Sequence, residues 1–135
     1  MYDTTTFLNV DLDLVSSEDL APLADALRPH LYALHVGRVP RRYWARFELS
    51  GQPRTADMAI RRLVAAIHEL PARQRARWNR TTRRDFNIGI QAAREPRYSE
   101  FPIESATVVM VGKIGGRIVV TAYSSSLSGR SRRVL

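Results

Sequence analysis

The sequence predicts an α/β (α+β) fold in which an antiparallel sheet of about five strands packs with two to three helices as a single pair of layers. Three observations lead to this prediction. Several short stretches alternate apolar and polar residues with a period of two, which is typical of half-buried strands. Two longer stretches carry apolar residues at helical spacing. The chain has 135 residues, 44% of them hydrophobic and 25% charged, which suits one globular domain with a core.

The clearest strand signal runs from Thr6 to Leu14. Apolar residues occupy every second position, and the polar residues Asn9, Asp11 and Asp13 fall between them. We therefore expect one face of this strand to be buried and the other to be polar. The apolar positions are Leu8, Val10, Leu12 and Leu14.

Helices are predicted at three places. The first follows the capping residues Ser16–Asp19 and ends near Arg28–Pro29, and the second begins at Thr55 or its neighbour. Pro71 either kinks the second helix or starts a short, arginine-rich helix over Ala72–Thr81. The apolar stripes are Leu20, Leu23, Ala24 and Leu27 in the first helix and Ala56, Ile60, Leu63, Val64, Ile67 and Leu70 in the second.

The remaining strand signals lie on both sides of the second helix. Two alternations that flank Val39–Arg42 predict an antiparallel hairpin, and Arg84–Ala92 and Arg117–Tyr123 predict two further strands. The residues of Ile103–Gly116 fit either a strand or a helix. In the hairpin, the first alternation opposes Tyr32, Leu34 and Val36 to Ala33, His35 and Gly37, and the second opposes Tyr43, Ala45, Phe47 and Leu49 to Trp44, Arg46 and Glu48.

Domain limits and cellular location follow from composition. We expect a single domain over residues 1–123, followed by a disordered basic Ser/Arg tail over residues 124–135. The formal net charge is +8, from 21 Lys and Arg against 13 Asp and Glu. Cysteine is absent, and the chain carries neither a secretory signal nor a run of about 18 apolar residues. These features predict a cytoplasmic protein that does not enter a membrane.

Three segments carry a resemblance to a known group of proteins. They are TFLNVDLDL (Thr6–Leu14), RDFNIGI (Arg84–Ile90) and IVVTAY (Ile118–Tyr123). With the order of predicted helices and strands, they resemble a family of small bacterial proteins whose layout is similar to that of immunity proteins of toxin systems, including contact-dependent growth inhibition. The resemblance implies a helix before the last strand, over Glu104–Ile114.

The same resemblance implies a function. It implies a protein-binding module without catalytic activity that binds and neutralises a cognate toxin, such as a nuclease or another effector domain. Because this chain is basic, the contact surface on such a toxin is expected to be acidic, unless the contact uses the minority acidic face of the chain.

The candidate contact residues fall into two groups. Asp11 and Asp13 share one face of a strand, about 7 Å apart, and read either as a solvated face or as a partner contact. Trp44 shares its strand face with Arg46, and it is either an exposed anchor or covered by a helix. The second group is a possible cationic stripe with an aromatic residue available to stack, comprising Arg73, Arg77, Arg80 and Arg84 with Trp78.

The cationic stripe supports an alternative function. If the arginine-rich helix continues far enough, the stripe could neutralise phosphates, which would make the chain a nucleic-acid-binding accessory domain. The stripe could also contact a partner protein or simply form a solvated face, which is the commoner role of such charges. No RNP-like motif, GXXG loop or zinc finger accompanies it.

Signals of catalysis or of a cofactor are weak. His30, His35 and His68 are scattered over three predicted segments, so we expect no metal site. In Gly112–Gly116 an isoleucine follows the lysine where a phosphate loop needs a hydroxyl, and no Gly-x-Ser-x-Gly occurs. We therefore predict no catalytic residues, no cofactor and no enzymatic activity.

Overall fold

Five strands and four helices make up the computed structural model, which describes residues 4–94 and 98–124. The α+β fold predicted from the sequence is confirmed, with four helices in place of two to three. Within the described residues, no helix combines the length and the apolar character needed to cross a bilayer. In chain order the strands and helices are β1 (Thr6–Ser16), α1 (Ala21–Leu27), β2 (Leu31–Val39), β3 (Arg42–Leu49), α2 (Ala56–His68), α3 (Ala72–Arg80), β4 (Arg83–Gln91), α4 (Ser105–Lys113) and β5 (Arg117–Tyr123).

The five strands form one sheet in the order β2-β3-β1-β4-β5, with β1 at its centre. The first three neighbouring pairs are antiparallel, as predicted. The last pair, β4 with β5, is parallel, so the prediction of a wholly antiparallel sheet needs correction there. Helix α4 connects these two strands, and parallel neighbours require such a crossover.

The ambiguous segment before β5 is a helix. Thr107, Val111 and Ile114 are buried at positions i, i+4 and i+7, while Val108 and Val109 are about half exposed. This is the helical one of the two patterns that the segment carries. The local preference of valine for strands is overridden because burying one helical face stabilises the crossover.

All four helices contribute to a core on one face of the sheet. Helix α2 contributes most: its N-terminus is capped by Thr55, whose Oγ1 accepts a hydrogen bond from the backbone N–H of Met58 at 3.1 Å. Each large side chain that this helix buries contributes roughly 1.5–3 kcal/mol. The buried residues of α2 are Ala56, Ala59, Ile60, Leu63, Val64, Ala66 and Ile67.

Two irregularities change the predicted alternation of the strands. The register of β1 against β4 shifts between Phe7 and Asn9, so Phe7 packs against the core while Leu8 is 45% exposed. A second shift, between Ala33 and His35 in β2, places Tyr32 and Val36 on opposite faces. Leu8 was therefore wrongly predicted to face the core, because a β-bulge reverses the alternation without any signal in the apolar pattern.

The hairpin between β2 and β3 has a turn of two residues, Pro40 and Arg41. Arg41 has a φ of 70°, which glycine or asparagine would adopt with less strain. The predicted domain limit at residue 123 coincides with the end of β5. Residues 125–135 of the predicted tail lie outside the described residues.

Candidate functional site

One face of the sheet is not covered by any described helix, and we call it the open face. It carries the side chains that alternate with the core residues of β1, β3 and β4. Because β1 lies between β3 and β4, Asp11 and Asp13 each have a neighbour on both sides. The rows across the three strands are Glu48, Asp11 and Asn87, then Arg46, Asp13 and Asp85, then Trp44, Val15 and Arg83.

The middle of the open face is an ion pair between Arg46 and Asp13. Arg46 Nε donates to Asp13 Oδ1 at 2.7 Å, and Arg46 Nη2 donates to Asp13 Oδ2 at 3.4 Å. Asn87 Nδ2 donates to the same Asp13 Oδ2 at 3.4 Å, and Thr121 Oγ1 donates to Asn87 Oδ1 at 2.8 Å. These bonds join four strands, so the side chains are held in place before any partner arrives.

One end of the open face is acidic. Asn9 Nδ2 donates to both Asp11 Oδ1 and Glu48 Oε2, each at 3.2 Å. Glu48 also accepts from the Tyr32 hydroxyl at 2.8 Å and from Gln52 Nε2 at 3.0 Å. Burial raises the pKa of Asp11 to about 6; nearby Arg46 opposes this effect, and the neighbouring carboxylates add to it. Asp11 therefore carries a negative charge at neutral pH in a setting that disfavours the charge.

The opposite end of the open face is aromatic and cationic. The rings of Trp44 and His35 stack with their centroids 3.8 Å apart. Gly37 lies opposite Trp44 in the neighbouring strand, and a Cβ atom there would collide with the His35 imidazole, so a glycine is needed for this stack. Beside Trp44 lies a shallow cavity of about 460 Å³, which we call the Trp44 cavity. It is lined by Asp13, Leu14, Val15, Val39, Arg42, Trp44, Arg46, Thr82, Arg83 and Asp85.

This geometry unites the first group of predicted contact residues on one surface: Asp11, Asp13, Trp44 and Arg46. No protein-family model matches the chain, and searches of curated proteins and of solved structures give no match either. The resemblance to immunity proteins that the sequence suggests therefore stays a prediction.

The predicted cationic stripe is shorter than expected, because only Arg73, Arg77 and Arg80 lie along α3. Helix α3 ends at Arg80, and Arg84 belongs to β4. Arg84 Nη1 donates to the backbone oxygen of Thr81 at 2.8 Å and Arg84 Nε to that of Gly115 at 2.9 Å, so this side chain closes the end of the helix. Arg80 is paired with Glu18, at 2.7 Å from Nε to Oε2.

Trp78 was also wrongly predicted to be a surface residue. Its side chain is completely buried, and its Nε1–H donates to the backbone oxygen of Ile114 at 2.9 Å. The remaining members of the stripe are Arg73, which is exposed, and Arg77, whose Nη1 lies 3.8 Å from Glu18 Oε1. The two groups of predicted contact residues therefore differ: the first forms one surface, whereas the second loses Arg84 and Trp78 to structural roles.

Several residues of the open face were missed by the sequence analysis. Arg42 and Arg83 line the Trp44 cavity. Arg117 donates two hydrogen bonds to the Asp85 carboxylate, at 2.9 and 3.0 Å, in a bidentate ion pair. Arg42 follows the same alternation as Trp44 and Arg46, a signal that was available in the sequence. Arg83 reaches this surface because β1 pairs with β4, and the local sequence does not predict which strands become neighbours. Within residues 4–94 and 98–124, no group of three or more His, Cys, Asp or Glu side chains is placed to hold a metal ion.

Proposed function

We propose that this chain is a protein-binding module without catalytic activity, and that it neutralises a cognate bacterial toxin by covering part of the toxin's surface with the open face. The observation that carries the proposal is the open face itself. One whole face of the sheet lacks a helical cover among the described residues, yet the charged side chains at its centre, Asp13 and Arg46, are already fixed by hydrogen bonds across the strands.

Fixed side chains favour binding because less conformational entropy is lost when the partner docks. The two ends of the open face also differ in charge, with Asp11 and Glu48 at one end and Arg42 and Arg83 at the other. A partner of complementary charge would be held in one orientation, which is the main contribution of interface electrostatics. Trp44 would provide the apolar contact that often dominates such interfaces.

The toxin as partner is supported by the resemblance described above. Its three segments lie in β1, β4 and β5, and these are adjacent strands of the sheet. The first two of these strands supply half-buried polar residues to the open face, including Asp11, Asp13 and Asn87. The segments on which the resemblance depends therefore build the same surface that the geometry favours for docking.

The test is a complex with the toxin or effector domain that is encoded next to this gene. We expect a complex of nanomolar affinity, and we expect coexpression to rescue growth of cells that produce the toxin. The substitution Trp44→Ala should weaken the complex by at least about 30-fold, as expected of an aromatic anchor that dominates an interface. The matched control is Met58→Ala, because Met58 is a large, 47% exposed side chain on α2, away from the open face.

Two outcomes contradict this proposal. Failure of the wild-type chain either to bind that toxin or to rescue growth argues against the toxin as partner. A complex that forms normally with Trp44→Ala but is weakened by Met58→Ala would place the interface on the helical side.

A further inference from the structure

The charges around the Trp44 cavity do not balance. Four arginines, including Arg117 just outside the cavity, surround the carboxylates of Asp13 and Asp85. Asp13 is engaged by Arg46, and Asp85 accepts two bonds from Arg117 at 2.9 and 3.0 Å. Two positive charges therefore remain, and they belong to the arginines at the edges of the cavity, Arg42 and Arg83.

These two arginines have no close anionic partner of their own. Arg83 Nε lies 3.9 Å from Asp85 Oδ2, an atom that already accepts a bond from Arg117. Arg42 forms no ion pair with any residue in the described part of the chain. Arg83 lies in the same row as Val15 and Trp44. Arg42 precedes Trp44 by two residues in β3, so both side chains point to the same face. Both arginines thus line the cavity together with Trp44 and Val15.

We propose that the partner inserts an acidic side chain, aspartate or glutamate, into the Trp44 cavity, where Arg42 and Arg83 bind its carboxylate and Trp44 contacts its aliphatic part. This inference rests on the proposed function, because it specifies the chemistry of the surface that the open face would recognise. Guanidinium groups bind carboxylates through two parallel hydrogen bonds, and the indole ring provides an apolar contact next to them.

The acidic end of the open face argues for a carboxylate on a folded partner rather than for a nucleic acid. Asp11 lies two residues before Asp13, the nearest lining residue of the cavity on β1, and four residues, or about 13 Å, before Val15. A phosphate backbone that entered the cavity and followed the strands would meet Asp11 and Glu48. A single acidic side chain avoids this repulsion, and the partner can present a cation to Asp11 and Glu48 instead.

The first experiment uses capped hexaglutamate as the probe and the full chain as the protein. Binding is followed by the NMR cross-peak of the Trp44 indole N–H, which is assigned by its loss in Trp44→Phe. We expect this cross-peak to shift on titration and the apparent Kd to rise at least about tenfold in the double variant Arg42→Gln/Arg83→Gln. The matched control is Arg61→Gln/Arg62→Gln, which removes the same charge from two exposed residues of α2 and should change the Kd by less than about twofold.

Further variants and probes decide the remaining cases. The single variant Arg42→Lys keeps the charge but loses the paired donors, so its affinity should lie between those of the wild type and Arg42→Gln. Equal weakening in the cavity variant and the α2 control would overturn the proposal, as would an unchanged Trp44 cross-peak. A ten-nucleotide deoxythymidine strand that binds more tightly than hexaglutamate, with the same dependence on Arg42 and Arg83, gives a different result. That result would overturn the inference of an acidic side chain and make a nucleic acid the ligand of the cavity.

The second experiment separates this inference from the proposed function. Affinity for the toxin is measured with wild type and with Arg42→Gln/Arg83→Gln, after dispersed NMR spectra have shown that both are folded. If the toxin complex forms with the same affinity for wild type and the double variant, the inference that an acidic side chain enters the cavity is overturned. The proposed function is then unaffected. If the wild type binds no toxin, the proposed function fails, and the hexaglutamate titration still decides whether the cavity binds a carboxylate.

Discussion

Asp11 and Asp13 lie two residues apart on one strand face, yet their surroundings differ. Asp13 accepts hydrogen bonds from Arg46 and Asn87, so its charge has close donors. Asp11 accepts one bond, from Asn9, and burial raises its pKa to about 6. Holding a carboxylate in such a position costs stability at neutral pH, and perturbed groups of this kind cluster at functional sites. Asp11 is therefore the residue of the open face whose charge is hardest to explain by folding alone.

The stability effect of Asp11 depends on pH. In the unfolded chain this carboxyl ionises near its ordinary pKa of 3.8, whereas the pKa in the folded protein is about 6. The folded protein therefore binds this proton more tightly than the unfolded chain does. The stability gained from the protonated carboxyl is fully present below about pH 4 and is lost as the pH rises through 6. We expect Asp11→Asn to raise the free energy of unfolding at neutral pH by about 1 kcal/mol, a value reduced for solvent screening because Asp11 is partly exposed.

Urea denaturation at about pH 7.5 and at about pH 4 measures this difference. The advantage of Asp11→Asn should disappear at the lower pH, where the wild-type carboxyl is protonated. Asp25→Asn serves as the control because Asp25 is exposed and forms a surface ion pair with Arg28 at 3.3 Å. An Asp11→Asn variant that is less stable than wild type at neutral pH would show that the carboxylate stabilises the fold.

The junction between α3 and β4 depends on Arg84. This side chain reaches back over the end of the helix and also binds the turn before β5, where Gly115 has a φ of 76°. Its guanidinium lies 6.0 Å from the centre of the buried Trp78 ring. Arg84 thus links the end of α3 to the beginning of β5, whereas the cationic stripe would have placed it on the surface of a longer helix.

Replacing Arg84 should therefore weaken the fold. In Arg84→Ala the backbone oxygens of Thr81 and Gly115 lose their described donor, and we expect the free energy of unfolding to fall by about 2 kcal/mol. Arg73→Ala, from the same predicted stripe, should change it by less than about 0.5 kcal/mol because Arg73 is exposed. Equal midpoints of urea denaturation for the two variants would mean that Arg84 is not a structural link.

Strands and helices were predictable where a single pattern covered the whole segment. In β4 the predicted apolar positions Phe86, Ile88 and Ile90 all contribute to the core, and α2 follows its helical stripe. The bulge at Phe7–Asn9 was not predictable, because one extra residue leaves the local composition unchanged but reverses the faces. The end of α3 was predicted to within one residue, but the extension of the cationic stripe was wrong: the helical spacing of arginines continues to Arg84, whereas the helix ends at Arg80.

The open face was predictable only in part, because it depends on which strands become neighbours. The alternation in β1 and β3 places Asp11, Asp13, Trp44 and Arg46 on polar faces, and the structure puts these faces side by side. Local sequence does not say that β1 is central or that β4 lies on its other side. The contribution of Arg83 to the Trp44 cavity therefore follows from pairing between residues far apart in the chain.

The net charge of +8 would by itself favour a nucleic-acid partner, but the cations are not concentrated in one stripe. Many are paired with acids, and these pairs are spread over both sides of the sheet. They include Arg80 and Arg77 with Glu18, Arg46 with Asp13, Arg117 with Asp85, and Arg28 with Asp25. Charge that is spread and neutralised in this way supports only weak, nonspecific attraction to phosphates.

A titration with labelled single-stranded RNA tests the nucleic-acid alternative. We expect weak binding at about 50 mM salt that is lost at about 200 mM salt, because such binding depends mainly on the release of counterions. Arg73→Gln/Arg80→Gln on α3 should weaken it no more than Arg61→Gln/Arg62→Gln on α2, since each pair removes two positive charges from an exposed helix face. A loss about tenfold greater for the α3 pair, persisting at the higher salt, would make α3 a nucleic-acid site. The same result would count against docking through the open face, because α3 packs on the opposite side of the sheet, where Trp78 belongs to the core.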